Sequence, residues 1–455
     1  MRYVLDFVHT VENLVFFQKK SNRKENLRTK EQADRSKRLF FDKKEFNVIM
    51  LYPEFKYQKI LGFGGAFTES SGYVFSKFSE DVKKKFIEDY FSEQGNNYNF
   101  CRTHINSCDF SLSTYSYSEK EDLEDFSVSH DEKYIIPLIK QALNINKNIK
   151  LLSSPWSPPK FMKTNNNMKN GGKLKTEYKD LWAKYIVKFL KAYEEKGIKI
   201  DYLTIQNEPY AKQLWESCLY NEDEEAEMAL DYLIPNLRTN NLKTQVLIWD
   251  HNKERLYLRA KKIFEKDKYN LISGIGYHYY TGDHFENIKL TKENYSEKLL
   301  IHTEGCTGFS IKRKSRQIPN AEIYAHDIIG DLNAGANAYI DWNILLDFKG
   351  GPNHMLNNCN APIMANLFGK NYIKNASYYY IGHFSKFIKR DARRIGFSKF
   401  TDDLEITAFE NPDESIVVVI LNKSDVNKKL NLVLEEKVYS DKIDKHSIIT
   451  FVINR

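Results

Sequence analysis

Cysteine is scarce in this chain: five in 455 residues, an odd number scattered at Cys101, Cys108, Cys218, Cys306 and Cys359. None stands in a CxxC pair, so neither a disulfide framework nor a structural zinc site is expected. Long apolar runs are lacking too, and no stretch reaches the roughly 18 residues of a membrane span. The first seventeen residues are fairly apolar, but Asp6, His9 and Glu12 break the run. Without a basic leader or a cleavage site it does not read as a secretory signal. A reduced, cytoplasmic protein is the expectation.

Nor does one sign of charge dominate: 68 Lys and Arg against 61 Asp and Glu leave a net +7. The basic surplus is most visible near the N-terminus, in Lys19-Lys20, Arg23-Lys24, Arg35, Lys37-Arg38 and Lys43-Lys44. Glu25, Glu31, Asp34 and Asp42 interrupt it. Residues 1–45 therefore read as a solvated arm of unknown role, with a nucleic-acid patch the minor rival; no nucleic-acid partner is expected. What is plentiful is hydrophobic (42%) and aromatic (14%) content, with 29 Tyr and 29 Phe, which places the chain among globular proteins. Its length exceeds one ordinary core and suits a barrel plus a smaller domain.

Short apolar runs ending in polar or aromatic residues recur along the chain. They are Gly62-Phe-Gly-Gly-Ala-Phe67, Asn99–Ile105, Asn148–Trp156, Tyr202–Pro209, Gln245–Asp250, Gly274–Tyr280, Lys298–Gly305 and Asn337–Asn343. Continuous rather than alternating apolarity marks parallel strands buried on both faces. Helical patterns lie between them. Ser79-Glu-Asp offers a cap and an acidic first turn, followed by Val82, Phe86, Ile87, Tyr90 and Phe91 on one face. Another helix lines up Leu181, Tyr185, Phe189 and Tyr193 and ends at Gly197. Eight strand–helix repeats argue for an α/β fold of the (β/α)8 barrel kind over residues 62–385. From about 386 to 455 the runs 404–409, 416–421, 429–434 and 448–453 read as a small β domain. Residues 46–61, through Phe46–Tyr52, could add a strand to it.

Two of the barrel runs end in glutamate, Glu208 and Glu304, about three β/α units of roughly 30 residues apart. If Glu208 ends strand four, Glu304 ends strand seven. Alone, Asn207-Glu208-Pro209 reads as a helix cap sooner than as a catalytic acid. At this spacing, and with other strand ends equally polar, two carboxylates suit cleavage of a glycosidic bond. Arg102 could pair structurally or orient a catalytic carboxylate. Asp109 could serve a turn or accept hydrogen bonds from sugar hydroxyls. Trp156 and Trp342 could be core indoles or platforms under a sugar ring. His278 could pair with His284 on a metal, but nothing completes a ligand set, so neither metal nor cofactor is expected.

These residues also carry a resemblance. Gly62–Glu69, Tyr90–Gly95, Ser107–Ser111, Ser154–Pro159, Gln206–Pro209, His302–Gly305, Asp341–Asn343, Gly350–Asn353 and Gly382–Phe387 occur in order. From about residue 46 onward the chain resembles glycoside hydrolase family 30, the glucosylceramidase-like retaining β-glycosidases. Trp215 is more typical of the bacterial members. His354 departs from the tryptophan of a lysosomal member, which leaves the aglycone side open.

The resemblance implies a (β/α)8 barrel with a β-sandwich built from the C-terminal segment and the strand before the barrel. It implies Glu208 as acid/base, Glu304 as nucleophile and Asn207 as a partner of the sugar 2-hydroxyl. Asp109, Trp156, Tyr280 and Trp342 match residues that line the glycone site. Arg102, His278 and Tyr280 stand where they could support the pair. The anionic Glu304 is expected to raise the pKa of Glu208 and keep it protonated as the acid. A β-glucoside, including glucosylceramide-like lipids, is the expected substrate. β-1,6-glucanase, β-xylosidase and β-fucosidase activities are the rivals within the family, and a non-catalytic carbohydrate-binding barrel the rival outside it. The leaving group, exo or endo action and the oligomeric state stay open.

Overall fold

A glycine-rich run opens the barrel because its backbone meets a neighbouring strand. A Cβ on Gly64 would stand 2.0 Å from the Phe100 carbonyl oxygen, a contact only glycine avoids. The computed structural model describes residues 47–308 and 313–455. The basic segment 1–45 and Phe46 lie outside the described residues. After β1 (Val48–Lys59), eight parallel strands close into a barrel in chain order. They are β2 (Gly62–Phe67), β3 (Phe100–Ile105), β4 (Lys150–Pro155), β5 (Tyr202–Thr204), β6 (Gln245–Asn252), β7 (Gly274–His278), β8 (Leu299–Glu304) and β9 (Ala338–Asn343). All eight runs read from the sequence are barrel strands. A small sheet of β10 (Leu345–Leu346), β11 (Ile363–Ala365) and β12 (Tyr372–Lys374) follows.

The two helices read from the sequence form. Glu80–Phe91 buries Phe86, Ile87, Tyr90 and Phe91, although the Ser79 side chain makes no cap bond. Lys179–Glu195 buries Tyr185, Phe189 and Tyr193, with Gly197 beyond its end at φ +78°.

Inside the barrel, Phe100, Leu152, Tyr202, Leu247, Ile301, Ala338 and Ile340 form one apolar layer. Side chains repeat on one strand face every second residue. Two positions further on, the same face therefore presents Arg102, Ser154, Thr204 and Thr303, a polar layer at the C-terminal ends. On β6 a bulge breaks this count. The register slips between Trp249 and His251, and Trp249 and Asp250 take φ of +72° and +53°. The extra residue brings Asp250 into the polar layer in place of the indole. Trp249 instead stacks against Arg259, 5.1 Å from its guanidinium.

The other compact unit holds β1, residues 317–329 and residues 376–455. It contains β13 (Arg393–Lys399), β14 (Leu404–Glu410), β15 (Ile416–Asn422), β16 (Lys428–Leu434), β17 (Lys437–Ile443) and β18 (Ser447–Ile453). The sheet order is β17-β16-β1-β13-β14-β15-β18, so the strand before the barrel joins the C-terminal strands. All seven contribute to one apolar cluster, from Ile49 and Leu51 on β1 to Ile443 on β17 and Ile453 on β18. Alternation puts Leu404, Ile406 and Ala408 into it from β14 and Ile416, Val418 and Ile420 from β15. Both ends of the sheet share a core, which folds it over as the layers of a sandwich.

Candidate active site

The polar layer is built around Arg102. Its guanidinium is fully buried and makes four side-chain contacts: Glu304 Oε2 at 2.6 Å, Asp250 Oδ2 at 2.8 Å, Asn207 Oδ1 at 2.9 Å and Ser154 Oγ at 3.2 Å. A planar fork can hold several acceptors at once, which an ammonium cannot. Arg102 thus pairs with the buried Asp250 and reaches Glu304 as well, so both readings of it stand. The same guanidinium carbon lies 4.8 Å from the Trp156 ring and 5.5 Å from that of Trp342.

Glu304 ends β8, barrel strand seven, and its second oxygen accepts from the Tyr280 hydroxyl at 2.8 Å. Glu208 follows barrel strand four in a loop that its φ of +47° bends sharply before Pro209. Its N–H donates to Asp250 O at 3.0 Å, so the β6 bulge also fixes the turn that carries it. Glu208 Oε1 lies 3.2 Å from His278 Nδ1 and 3.6 Å from His251 Nδ1, and Oε2 accepts from Gln213 at 3.0 Å.

Asp250 ties the halves together. One oxygen takes Arg102, Ser154 and Thr204; the other takes His278 at 3.0 Å and Thr303. Burial pushes its carboxyl up, but Arg102, His278 and Thr303 outweigh that and hold it well below the usual range. His278 is the reverse case. Burial opposes its charge, yet Glu304, Asp250 and Glu208 raise it to about 9.

One expectation is corrected here. Burial does push Glu208 up, but the His251 and His278 imidazoles hold its carboxyl well below the ordinary value. Two imidazoles at its own oxygen outweigh the repulsion expected from Glu304. His278, raised by its carboxylate neighbours, is the group that faces Glu208 across this contact.

Asp109 is buried and accepts from Asn357 Nδ2 at 3.0 Å. Burial and the nearby Glu304 push its carboxyl well up. Its loop is clamped from outside. Ser107 Oγ donates to Glu216, His354 N–H donates to Ser111 O, and His354 Nε2 lies 3.3 Å from Glu216 Oε2. Trp156 and Trp342 stack on each other, centroids 5.3 Å apart and planes 17° apart. At 1% and 2% exposure they form a buried floor instead of open platforms, because each spends a face on its partner. Tyr280 is the exposed aromatic of the group, at 41%.

All nine residues named as site candidates thus lie in the barrel's polar layer or the loops around it. Asp250, His251, Gln213 and Asn357 were not anticipated. Glu208, His251 and His278 bring one ligand atom each within 4.8 Å of one another. His284 lies apart, beside Thr281 and Glu286. Among the described residues no helix is long and apolar enough to cross a membrane.

Comparison with known proteins agrees with this geometry. Residues 60–388 match the Glycosyl hydrolase family 30 TIM-barrel domain, and residues 391–451 match the Glycosyl hydrolase family 30 beta sandwich domain. The chain is 32% identical to lysosomal acid glucosylceramidase of Mus musculus, over 85% of this chain and 79% of that protein. It is 26% identical to the endo-1,6-beta-D-glucanase of Neurospora crassa, over 88% and 86% respectively. Among solved structures it resembles SrfJ from Salmonella typhimurium, with a TM-score of 0.89 and 38% identity over 91% of this chain and 94% of that one. The endo-beta1,6-glucanase BT3312 superposes with a TM-score of 0.84 and 29% identity over 90% and 94%. The chain belongs to glycosyl hydrolase family 30 and is a glycoside hydrolase.

Proposed function

We propose that the protein is a retaining β-glycosidase acting on β-glucosides by two successive displacements, with Glu304 as nucleophile and Glu208 as acid and then base. The observation that carries this reading is the asymmetry of the two glutamates. Glu304 is aimed by a guanidinium and a phenol, the partners of a carboxylate that must stay anionic and attack. Glu208 is paired with a proton-bearing imidazole, the partner of a carboxyl that must gain and lose a proton.

Retaining enzymes hold two such carboxyls about 5–5.5 Å apart across the scissile bond. As the leaving oxygen develops charge, the proton on His278 passes to Glu208 and on to that oxygen. Glu304 bonds to the anomeric carbon in the same step. Its charge is consumed in the ester, and Glu208, again an ion beside His278, takes a proton from water to release the sugar. Arg102 and His278 supply two buried positive charges against three carboxylates, Glu208, Asp250 and Glu304. The site therefore keeps a negative excess that favours an oxocarbenium-like transition state. Asn207, Asp109, Tyr280, Trp156 and Trp342 would hold the glycone.

Glucosylceramide-like β-glucosides are the favoured substrates, supported by the likeness to the mouse glucosylceramidase. A second reading, β-1,6-glucan cleavage, is favoured by the likeness to two β-1,6-glucanases. Comparing hydrolysis of glucosylceramide, aryl β-glucosides and gentio-oligosaccharides separates them. NMR of the first product tests the stereochemistry: β-anomer supports retention, and α-anomer would mean inversion.

A further inference from the structure

The Cys306 and Cys359 sulfurs lie 3.3 Å apart, and the mechanism uses neither. Cys306 stands two residues past Glu304, and Cys359 lies in the loop between β10 and β11. Backbone register holds the two segments together. Gly308 bridges Cys359 in antiparallel fashion, and Asn360 N–H donates to Thr307 O at 3.0 Å. Both cysteines share an apolar cluster with Trp156 and Trp342, and each keeps 8% exposure, whereas Cys101, Cys108 and Cys218 keep none. The Tyr280 hydroxyl that binds Glu304 also contacts Cys306 Sγ at 3.7 Å.

We propose that Cys306 and Cys359 form a peroxide-oxidisable dithiol, a modification site whose disulfide form slows turnover at the adjacent Glu304. Cys306 S–H points at Cys359. That hydrogen bond and burial push the Cys306 thiol well up. One sulfur of the pair attacks an oxygen of hydrogen peroxide: the S–O bond forms, the O–O bond breaks, and the departing hydroxide leaves as water with the thiol proton. The other sulfur then displaces hydroxide from that sulfenic acid. The S–S bond forms, the S–O bond breaks, and a second water carries off the remaining thiol proton. Two thiols lose two electrons and one peroxide gains them.

Two bonded sulfurs stand about 2.05 Å apart, so the pair must close by roughly an ångström. The Tyr280 hydroxyl contacts both Cys306 Sγ at 3.7 Å and Glu304 Oε1 at 2.8 Å, so a movement of Cys306 reaches Glu304 through that phenol. Misplacing a reacting group by about 1 Å can cost about a hundredfold in rate. This effect on turnover rests on the role proposed for Glu304; the oxidation itself does not.

The test treats the full-length protein with hydrogen peroxide, alkylates the remaining thiols and maps the digest by mass spectrometry. A peptide joining Cys306 to Cys359 is expected. A fall in kcat of about tenfold or more should accompany it, reversed by dithiothreitol. Cys359→Ser should form no such peptide and keep its activity through the treatment. Cys359→Ala, checked by thermal unfolding, repeats the experiment if the serine variant misfolds. Both thiols alkylating after peroxide would overturn the modification site, and a joined peptide with unchanged turnover would overturn the control of activity. If untreated protein cleaves no β-glycoside, the function fails while the peptide result still stands.

Discussion

His278 Nδ1 lies 3.2 Å from Glu208 Oε1, and that imidazole, with His251, holds the carboxyl well below its ordinary value. With its other nitrogen 3.0 Å from Asp250, the imidazole is a proton store beside the acid/base group. The pair titrates as a unit, and it keeps its proton up to about pH 9. The basic limb of the kcat/KM profile should therefore fall near there. His278→Asn leaves Glu208 alone, without its store, and should shift that limb toward acid and lower the maximum. An unmoved limb in the variant would contradict the pairing.

Arg102 carries a different load. Removing it in Arg102→Met leaves Asp250 and Glu304 buried without their cation, a loss of about 3–5 kcal/mol for a broken buried pair. Arg102→Lys keeps the charge and loses the fork. The lysine variant should fold yet lose about a hundredfold or more in kcat; thermal unfolding and steady-state kinetics on the same preparation read both effects. Full activity in Arg102→Lys would mean that aiming Glu304 does not need the guanidinium.

Asn357 reaches Asp109 at 3.0 Å and should act on binding of the glycone. Asn357→Ala should lower kcat/KM by about ten- to a hundredfold, the scale of losing a hydrogen bond to a charged or strongly polar partner. The unfolding temperature should barely move, because the contact lies at a loop. Equal losses for substrates with and without the matching sugar hydroxyl would argue for a structural role instead.

The strand ends were legible because parallel barrel strands are buried on both faces and show as continuous apolar runs. The places of Glu208, Glu304 and Arg102 at strand ends follow from that pattern, whereas the roles expected of the two glutamates came with the family resemblance. Asp250 does not, although its run was recognised. Strict alternation from Leu247 sends Trp249 inward, and only the bulge at Trp249–Asp250 reverses the two. Asn357 was hidden for another reason: it sits in the loop between β10 and β11, where no period links residue to position. In the β unit, β13 and β17 went unread because Arg393-Arg-Ile-Gly-Phe-Ser-Lys399 and Lys437-Val-Tyr-Ser-Asp-Lys-Ile443 are largely polar and bury few of their residues. The lowering of Glu208 was missed because it depends on two histidines from separate strands, which no local spacing connects.

His383, in the helix Ala376–Ser385, contacts Thr450 Oγ1 at 2.8 Å. Burial lowers its imidazole to about 3, against about 6.5 unfolded. Between those values the unfolded chain binds a proton that the folded chain refuses. Stability from this group is thus complete above about pH 6.5 and declines as pH falls, by up to about 1.4 kcal/mol per pH unit. His383→Gln should flatten the acid side of a urea-unfolding series between pH 6.5 and 4.5, and an unchanged slope would contradict the assignment.

The central claim is that Glu304 attacks the sugar, and Glu304→Gly with sodium azide tests it most directly. The variant should show almost no turnover of an activated aryl β-glucoside. Azide entering the space left by the side chain should restore the rate and yield the α-glucosyl azide, formed by a single displacement on a β-glucoside. That product is the inverted one, so the β-azide belongs instead to rescue of an acid/base variant such as Glu208→Ala. Wild-type rates without azide, or a β-azide from Glu304→Gly, would contradict the account.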